Sequence, residues 1–259
     1  MKKVMIVVGS LTTGGMERVN TVLANKLGET HNVFLYTIRG STDSFYPLTV
    51  PLIKNHKTEN SSIRLNILRL SGFIHFKFIN HLIYKREAAK IIAIINEKNP
   101  DTIIFNAENI LCLPYVKKRF PNVNYISWLH NNANTYLNRV FKGIKEDFIE
   151  GLKHSNCVVS LTKEDNKVFQ SFNKNTIAIS NPLTIDNHQI STLDLKIISW
   201  TGRLVHPMKG IDYLAEIASR LPEGWKISVA GTGNEKVFDK FIKKYSADNK
   251  LIRQGALLG

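Results

Sequence analysis

The sequence predicts an α/β protein made of two Rossmann-like domains, the second of them incomplete. Three observations support this fold class. Short β-branched runs alternate with helical stretches from the N-terminus onward, and a polar stretch after Pro182 interrupts this pattern before a fresh alternation begins. Each of the two alternations also opens with a strand that leads into a glycine-rich loop.

The first alternation covers residues 1–181, and its apolar runs predict strands at Val4–Val8, Val33–Thr37, Thr102–Phe105, Asn124–Trp128, Cys157–Leu161 and Thr176–Ile179. Helices are predicted over 15–28, 80–98, 134–153 and 163–171. The second alternation, within 182–259, predicts strands at Lys196–Thr201, Lys226–Ala230 and Leu251–Arg253, with helices at Gly210–Leu221 and Glu235–Tyr245. This second segment has about half the usual length of a domain, so we expect it to be a partial one.

Composition narrows the classes of function. Lysine and arginine total 35 against 21 acidic residues, and the net charge of +14 favours acidic ligands or an anionic membrane surface. That charge alone also fits a nucleic-acid binder, but the chain carries no recognised nucleic-acid-binding motif. Cys112 and Cys157 are far apart and lack metal-ligand spacing, which favours a reduced, cytoplasmic setting.

The first glycine-rich loop, Gly9 to Glu17, differs from two well-known phosphate loops. Gly15 and Met16 stand where a Walker A loop requires Lys and Ser or Thr, and Leu11 replaces the second glycine of a dinucleotide fingerprint. The remaining pattern predicts a strand, a turn and a helix that begins near Gly15, whose free N–H groups favour an anion. A tight turn without any ligand is the alternative that the loop alone leaves open.

The second glycine-rich loop, Gly202 to Gly210, carries two cations. Arg203 leaves the end of a predicted strand and Lys209 precedes the next helix, so both side chains can reach an anion at that helix N-terminus. A third loop, Ala230 to Asn234, follows the neighbouring strand and lies at the same edge of the predicted sheet, where ligands of open α/β sheets bind. Arg203 and Lys209 as ordinary solvated charges are the alternative.

Five motifs together resemble the family-4 retaining glycosyltransferases, bacterial enzymes of the GT-B fold that build lipopolysaccharide, capsule and related glycans. The motifs follow the order and rough spacing of that family over nearly the whole chain. They are Gly14-Gly-Met-Glu-Arg-Val19, Trp128-Leu-His-Asn131, Ser180-Asn-Pro182, Gly202-Arg-Leu204 with Lys209-Gly-Ile-Asp212, and Ala230-Gly-Thr-Gly233.

The resemblance implies that 1–181 is the acceptor-side domain and 182–259 a partial nucleotide-sugar-binding domain, with the active site between them. It implies transfer of a sugar from a UDP- or GDP-sugar to a glycan or lipid-linked acceptor with retention of configuration, without metal or cofactor. The roles it implies are His130 beside the transferred sugar, Gly15, Arg203 and Lys209 on the donor diphosphate, Gly231 and Gly233 in a donor-side loop, and Gly14, Glu17 and Asn181 in the cleft.

Two departures from the family pattern bear on activity. The interval between Arg203 and Lys209 is longer than the commonest form, and the paired glutamates of the donor domain have no counterpart before Gly259. We therefore expect a fragment that is inactive alone, and a non-catalytic sugar-nucleotide-binding or scaffold module is the alternative. From Asn60 to Arg86 the sequence has no carboxylate, and basic and aromatic residues are interleaved. This mixture suits peripheral contact with the inner membrane face, and an ordinary loop and helix packed on the sheet is the alternative that the pattern leaves open.

Overall fold

The computed structural model describes residues 1–40, 43–55, 66–67, 70, 77–184 and 190–257. The chain divides into two compact units, Met1–Asp186 (unit 1) and Asn187–Gly259 (unit 2). Each unit is an α/β structure with a parallel sheet, as the alternating pattern predicts.

Unit 1 contains a seven-stranded sheet in the order β3-β2-β1-β4-β5-β6-β7, and every pair in it is parallel. Its strands are β1 (Lys3–Val8), β2 (Asn32–Thr37), β3 (Leu52–Lys54), β4 (Thr102–Asn106), β5 (Asn124–Trp128), β6 (Cys157–Ser160) and β7 (Thr176–Ala178). Its helices are α1 (Gly15–Gly28), α2 (Lys77–Lys98), α3 (Leu113–Arg119), α4 (Lys145–His154) and α5 (Lys163–Gln170).

Both faces of the unit 1 sheet are covered, which explains why its strands are nearly continuous apolar runs. Side chains alternate between the faces along β1. Val4, Ile6 and Val8 belong to one apolar cluster, whereas Met5 and Val7 belong to the other. Since β1 lies between β2 and β4, its loop emerges near the middle of the sheet.

The predicted helix over 134–153 is wrong as a single element. A helical turn at Ala133–Thr135 passes into a π-helical segment, Tyr136–Val140, then into a 3₁₀ turn before α4 begins. The Phe141 N–H accordingly donates to the Tyr136 carbonyl over 2.9 Å. The rings of Tyr136, Phe141 and Phe148 pack together with centroids 4.3–5.6 Å apart. This ring packing fixes the local path, which helical periodicity alone does not reveal.

Two elements of unit 1 lie outside the predicted pattern. The edge strand β3 has only three residues and is too short to show alternation. The helical stretch after β4 runs as a 3₁₀ segment, Ala107–Cys112, into α3, whose first turn contains Pro114. A proline fits the first turn of a helix because the missing N–H has no partner there in any case.

Unit 2 contains a three-stranded parallel sheet in the order β10-β9-β8. Its elements are β8 (Ile197–Thr201), α6 (Ile211–Ser219), β9 (Lys226–Ala230), α7 (Glu235–Tyr245) and β10 (Leu251–Gly255), in close agreement with the predicted second alternation. The two helices pack beside each other, and their apolar residues form one core with Ile227 and Val229 of the central strand. β8 and β9 each lead into a helix, so the loops that follow these two strands lie at one edge of the sheet.

Candidate functional site

The glycine-rich loop of unit 1 ends where α1 begins, at Gly15. A Cβ atom on Gly15 would meet nothing within 4 Å, so the space beside this residue is open. Gly14 precedes it in an extended conformation, and its N–H donates to the Tyr46 hydroxyl over 3.3 Å. A Cβ on Gly14 would lie 2.1 Å from Oε2 of Glu17, which shows that this carboxylate folds back over the helix N-terminus. Glu17 thus supplies negative charge at the positive end of the helix dipole.

A buried arginine supports the first residue of this loop. Arg39 follows β2 and is only 4% exposed, and its N–H donates to the Gly9 carbonyl over 3.1 Å. Its Nη2 lies 2.5 Å from Oε1 of Glu108, and its Nη1 lies 3.7 Å from Oε1 of Glu87. A Cβ on Gly9 would approach Arg39 Nη2 to 2.8 Å, closer than side chains tolerate. The ion cluster therefore requires glycine where the loop leaves β1.

His130 lies just beyond the end of β5 and is held from three sides. Its N–H donates to the Tyr136 hydroxyl over 3.1 Å, and its ring lies 4.4 Å from the Trp128 ring. Its Nε2 lies 2.6 Å from Oδ1 of Asn106, the last residue of β4. Because Asn106 Nδ2 donates to the Val7 carbonyl over 3.3 Å, the network assigns the amide oxygen to His130. His130 Nε2 therefore carries the ring hydrogen of the neutral imidazole, and this N–H donates a hydrogen bond to Asn106 Oδ1.

Burial lowers the pKa of His130 to about 4. The imidazole is consequently neutral near neutral pH, and its Nδ1 is a hydrogen-bond acceptor. This atom is buried without a hydrogen-bond partner in the part of the chain that the structure describes. A neutral ring in a fixed tautomer is suited to orienting a polar group, whereas a low pKa makes it a weak base that is rarely protonated near neutral pH.

In unit 2, the loops after β8 and β9 pack backbone against backbone. Gly202 and Leu204 donate their N–H groups to Ala230 and Thr232 over 3.0 and 2.9 Å, and the Asn234 N–H donates to the Leu204 carbonyl over 2.8 Å. A short parallel bridge joins Leu204 to the second glycine of the neighbouring loop. The two loops therefore form one structural unit at the edge of the sheet.

The glycines of the loop after β9 permit this approach. A Cβ on Gly231 would lie 1.8 Å from the Gly202 carbonyl oxygen, and one on Gly233 would lie 2.6 Å from the Leu204 carbonyl oxygen. Their φ angles are 142° and 157°, in the region that side chains disfavour. Packing of the two loops thus explains both glycines, whether or not they also contact a ligand.

Arg203 and Lys209 occupy the loop between β8 and α6, and both are exposed. Arg203 lies between Gly202 and Leu204, whose carbonyl oxygens are close to Gly231 and Gly233. Lys209 donates its N–H to the Val205 carbonyl over 2.9 Å and precedes Gly210, which starts α6 from a left-handed conformation with φ 60°. No side chain accepts the first N–H groups of this helix among the described residues, so they are available to an anion.

His206 lies between Arg203 and Lys209 in the sequence and contacts both helices of unit 2. Its Nε2 lies 3.6 Å from Oδ2 of Asp212 on α6, and its ring lies 5.1 Å from the ring of Phe241 on α7. The longer interval in the sequence is therefore a loop anchored to both helices of unit 2.

The structure brings some of the predicted site residues together and leaves one apart. Gly14, Gly15 and Glu17 form one helix N-terminus in unit 1, and the loop of Arg203 and Lys209 packs against that of Gly231 and Gly233 in unit 2. Asn181 is exposed beyond β7, where no hydrogen bond of its side chain is found within the described ranges. The roles that the family resemblance implies for these residues stay predictions.

Sequence reasoning missed Asn106, Arg39 and Glu108, which surround the loop and His130 in unit 1. Asn106 ends β4, Glu108 lies in the helical segment after it, and Arg39 follows β2. Polar residues at the carboxyl ends of adjacent parallel strands meet at one edge of a sheet, so this position was a usable signal. Their partners, however, come from distant parts of the chain and only the fold pairs them.

Several predicted properties concern other regions. Most of the stretch from Asn60 to Arg86 lies outside the described residues, and membrane contact there stays a prediction that vesicle binding would test. In its described part, Ile79 and Leu82 of α2 are exposed, as are the neighbouring Lys85 and Arg86.

None of the described helices is long and apolar enough to cross a membrane. Within the described residues, no cluster of His, Cys, Asp and Glu could hold a metal ion.

No protein-family model matches the chain, and no curated protein matches it significantly. Solved structures do match. The lipopolysaccharide outer core galactosyltransferase WaaB has a TM-score of 0.62 at 14% identity, over 99% of this chain and 68% of that one. Anabaena HepE, in complex with UDP and glucose, has a TM-score of 0.70 at 14% identity over 100% and 70%. S. aureus TarM, a mutant in complex with UDP and other ligands, has 0.68 at 12% identity over 99% and 78%.

These matches show that the chain has the GT-B glycosyltransferase fold, in agreement with the predicted fold class. At identities of 12–14% they show the fold alone. Reaction and ligands must therefore be argued from the residues of this chain.

Proposed function

We propose that this chain belongs to a glycosyltransferase that moves a sugar from a UDP- or GDP-sugar to a glycan or lipid-linked acceptor, with retention of configuration, in the synthesis of bacterial cell-surface polysaccharide. One observation carries the proposal. In a chain with the GT-B fold, the loop that joins β8 to α6 carries two exposed cations, Arg203 and Lys209, and the helix that follows it has no side-chain cap at its N-terminus.

The proposed role of unit 2 is to hold the donor diphosphate. The arginine offers a planar fork of donors to the phosphate oxygens, and the lysine adds a point charge. The N–H groups at the start of α6 contribute a partial positive charge in the same region. When the bond to the sugar breaks, these groups stabilise the negative charge that develops on the leaving diphosphate.

The proposed role of unit 1 is to hold the acceptor side of the reaction, with Gly15 near the donor diphosphate and His130 beside the transferred sugar. Open space at Gly15 supports its part of the proposal. The low pKa of His130 and its bond to Asn106 favour orientation of a hydroxyl group over proton transfer. We therefore expect His130 to act on turnover through positioning.

Donor binding tests the proposal most directly. We expect calorimetry on the 259-residue chain to show binding of UDP or GDP, and Arg203→Ala and Lys209→Ala each to weaken it by about 2–4 kcal/mol. Both residues are exposed, so neither change should move the melting temperature appreciably.

Lys226→Ala is the matched control. Lys226 is an exposed lysine of the same unit, but it begins β9 at the opposite edge of the sheet and should not affect binding. Equal losses of binding free energy in all three variants would show that Arg203 and Lys209 act only through the net positive charge of unit 2. Unchanged binding in both loop variants would overturn the assignment. Tight, loop-dependent binding without sugar transfer by the longest native form of the protein would instead favour the non-catalytic alternative.

A further inference from the structure

An open cavity of about 450 Å³ lies in unit 1, in the segment that joins β2 to β3. This volume falls within the range of small-molecule sites in proteins, roughly 300–1,000 Å³. The residues that line it all come from this one segment, which we call the strap (residues 43–52). They are Asp43, Ser44, Phe45, Tyr46, Pro47, Leu48, Val50 and Leu52.

The strap is held in place by hydrogen bonds to the elements beneath it. The Phe45 N–H donates to the Leu11 carbonyl over 2.9 Å, next to the glycine-rich loop. Asn25 of α1 donates to the Pro47 carbonyl over 2.9 Å and accepts from the Thr49 N–H over 2.8 Å. The cavity is therefore formed before any ligand arrives, which lowers the entropic cost of binding.

The lining combines aromatic rings with a few polar groups. Phe45 and Tyr46 pack edge to face with centroids 5.1 Å apart, and Phe45 nevertheless remains 51% exposed. An exposed aromatic ring on a segment that is held by hydrogen bonds offers a fixed apolar surface to a ligand. A pyranose ring suits this surface because its C–H face can lie on the phenylalanine ring while its hydroxyls reach the Asp43 carboxylate and backbone carbonyls.

Charge restricts the ligand further. Among the described residues, no lysine or arginine lines the cavity, whereas Asp43 does, and its carboxylate contacts Lys54 at 2.6 Å. A phosphate or carboxylate group in the cavity would find no unpaired cation among these lining residues, because Lys54 is already held by Asp43. The lining therefore favours an uncharged sugar over a sugar phosphate.

The strap also contacts the glycine-rich loop directly. The Tyr46 hydroxyl accepts from the Gly14 N–H over 3.3 Å, and the Arg18 guanidinium lies 5.7 Å from the centre of the Tyr46 ring. A ligand on the strap thus lies beside the residues that precede Gly15. This contact between the strap and the glycine-rich loop favours a ligand that takes part in the same reaction as the loop.

We infer that the strap binds an uncharged saccharide ring, with Phe45 as its stacking platform, and that this ring belongs to the acceptor of the proposed transferase. The second half of this statement rests on the proposed function. The first half concerns sugar binding alone and is tested without any turnover.

Saturation-transfer NMR on the full 259-residue chain is the test, with methyl α-D-glucopyranoside, methyl α-D-galactopyranoside and N-acetylglucosamine as probes and glucose 6-phosphate as the charged comparator. At least one uncharged sugar should show transfer, and the phosphate should show little. Phe45→Ala and Phe45→Leu should each weaken the signal about tenfold, and the second keeps an apolar side chain while it removes the aromatic ring. Leu82→Ala is the control, since it removes an equally exposed apolar side chain from α2.

UDP binding is measured by calorimetry on the same samples to separate the two hypotheses. Loss of sugar transfer in both Phe45 variants with intact UDP binding supports the strap as a saccharide site. Sugar signals that persist in both Phe45 variants, or that never appear in the parent chain, overturn it even when UDP binds. Sugar binding that depends on Phe45 without any UDP binding supports the saccharide site and contradicts the transferase that it was assigned to serve.

Discussion

The first strands of the two units, β1 and β8, are similar in sequence pattern and different in surroundings. Each is a short β-branched run that leads into a glycine-rich loop and a helix. The apolar side chains of β1 are at most 6% exposed, because β2 and β4 flank it and helices cover both faces. In β8, Ile197 and Ile198 are 40% and 39% exposed, and β9 is its only partner among the described residues.

The difference carries over to the candidate site residues. In unit 1, Arg39 and Asn106, which support the loop and His130, are buried and joined to their neighbours by charges and hydrogen bonds. In unit 2, Arg203 and Lys209 are exposed, and the shape of their loop depends on glycine backbones that nearly touch. Unit 1 thus fixes side chains by packing, whereas unit 2 fixes backbone and leaves side chains free to meet a ligand. Three predictions test this contrast.

The largest effect is expected from the buried ion cluster of unit 1. Arg39→Met removes the cation between Glu108 and Glu87, whose side chains are 14% and 3% exposed. Leaving these carboxylates without it should cost about 3–5 kcal/mol of unfolding free energy. Urea unfolding combined with hydrogen exchange of β1 and β2 would measure the loss and locate it in unit 1.

Arg220→Met is the matched change in unit 2. Arg220 contacts Glu216 at 2.5 Å, the same separation as the Arg39–Glu108 pair, but its side chain is 76% exposed. Its loss should cost no more than about 1 kcal/mol, because exposed ion pairs contribute little. Similar losses of unfolding free energy for Arg39→Met and Arg220→Met would contradict the contrast between buried side chains in unit 1 and exposed ones in unit 2.

A somewhat smaller effect is expected from the backbone contact in unit 2. Gly231→Ala places a Cβ 1.8 Å from the Gly202 carbonyl oxygen, so the two loops must separate. Together with the strain at φ 142°, this should cost about 3–4 kcal/mol. Hydrogen exchange at Gly202 and Leu204, whose N–H groups bond to the neighbouring loop, would report the separation.

Gly255→Ala separates strain from steric clash. Gly255 also has a positive φ, 67°, but a Cβ there would meet nothing within 4 Å. It should lose only about 1 kcal/mol, the usual cost of a left-handed alanine. If both substitutions destabilise the chain equally, contact between the loops is not the reason for the glycine.

The third prediction concerns pH and the burial of His130. Its pKa falls from 6.5 to about 4 on folding, so the unfolded state binds the proton more readily. Above about pH 6.5 the ring is neutral in both the folded and the unfolded state. As the pH falls towards 4, the unfolded state takes up the proton and the folded state does not, so the free energy of unfolding decreases by about 3 kcal/mol. Urea unfolding at steps between these pH values would show the decline.

His130→Asn supplies the control for this titration. Asparagine has no proton to gain in this range, so the stability of the variant should fall less steeply between about pH 6.5 and 4. Because the substitution also changes the contacts of the side chain, only the slope of stability against pH is compared, not its starting value. Parallel slopes for the two proteins would show that His130 is accessible to protons in the folded state.

Much of the fold could be predicted because buried parallel strands have a strong local signature. The bounds of β5, β9, α1 and α7 agree with the prediction to the residue, since each is an uninterrupted pattern. The region after His130 could not be predicted, because the π-helical segment follows from rings that stack across residues 136–148. The strap was missed for a similar reason. Its shape depends on Leu11 and Asn25, which lie in other elements.

For the candidate site, residue types alone predicted the two glycine-rich loops, the cations of the second loop and the position of His130 after a strand. These follow from local patterns and from the rule that loops after parallel strands share one edge. The contact of Arg39 with Gly9, the tautomer of His130 that Asn106 fixes and the approach of Gly231 to Gly202 could be read only from the folded chain. Burial and approach between distant residues set pKa values and backbone contacts, and neither quantity is a property of a local stretch of chain.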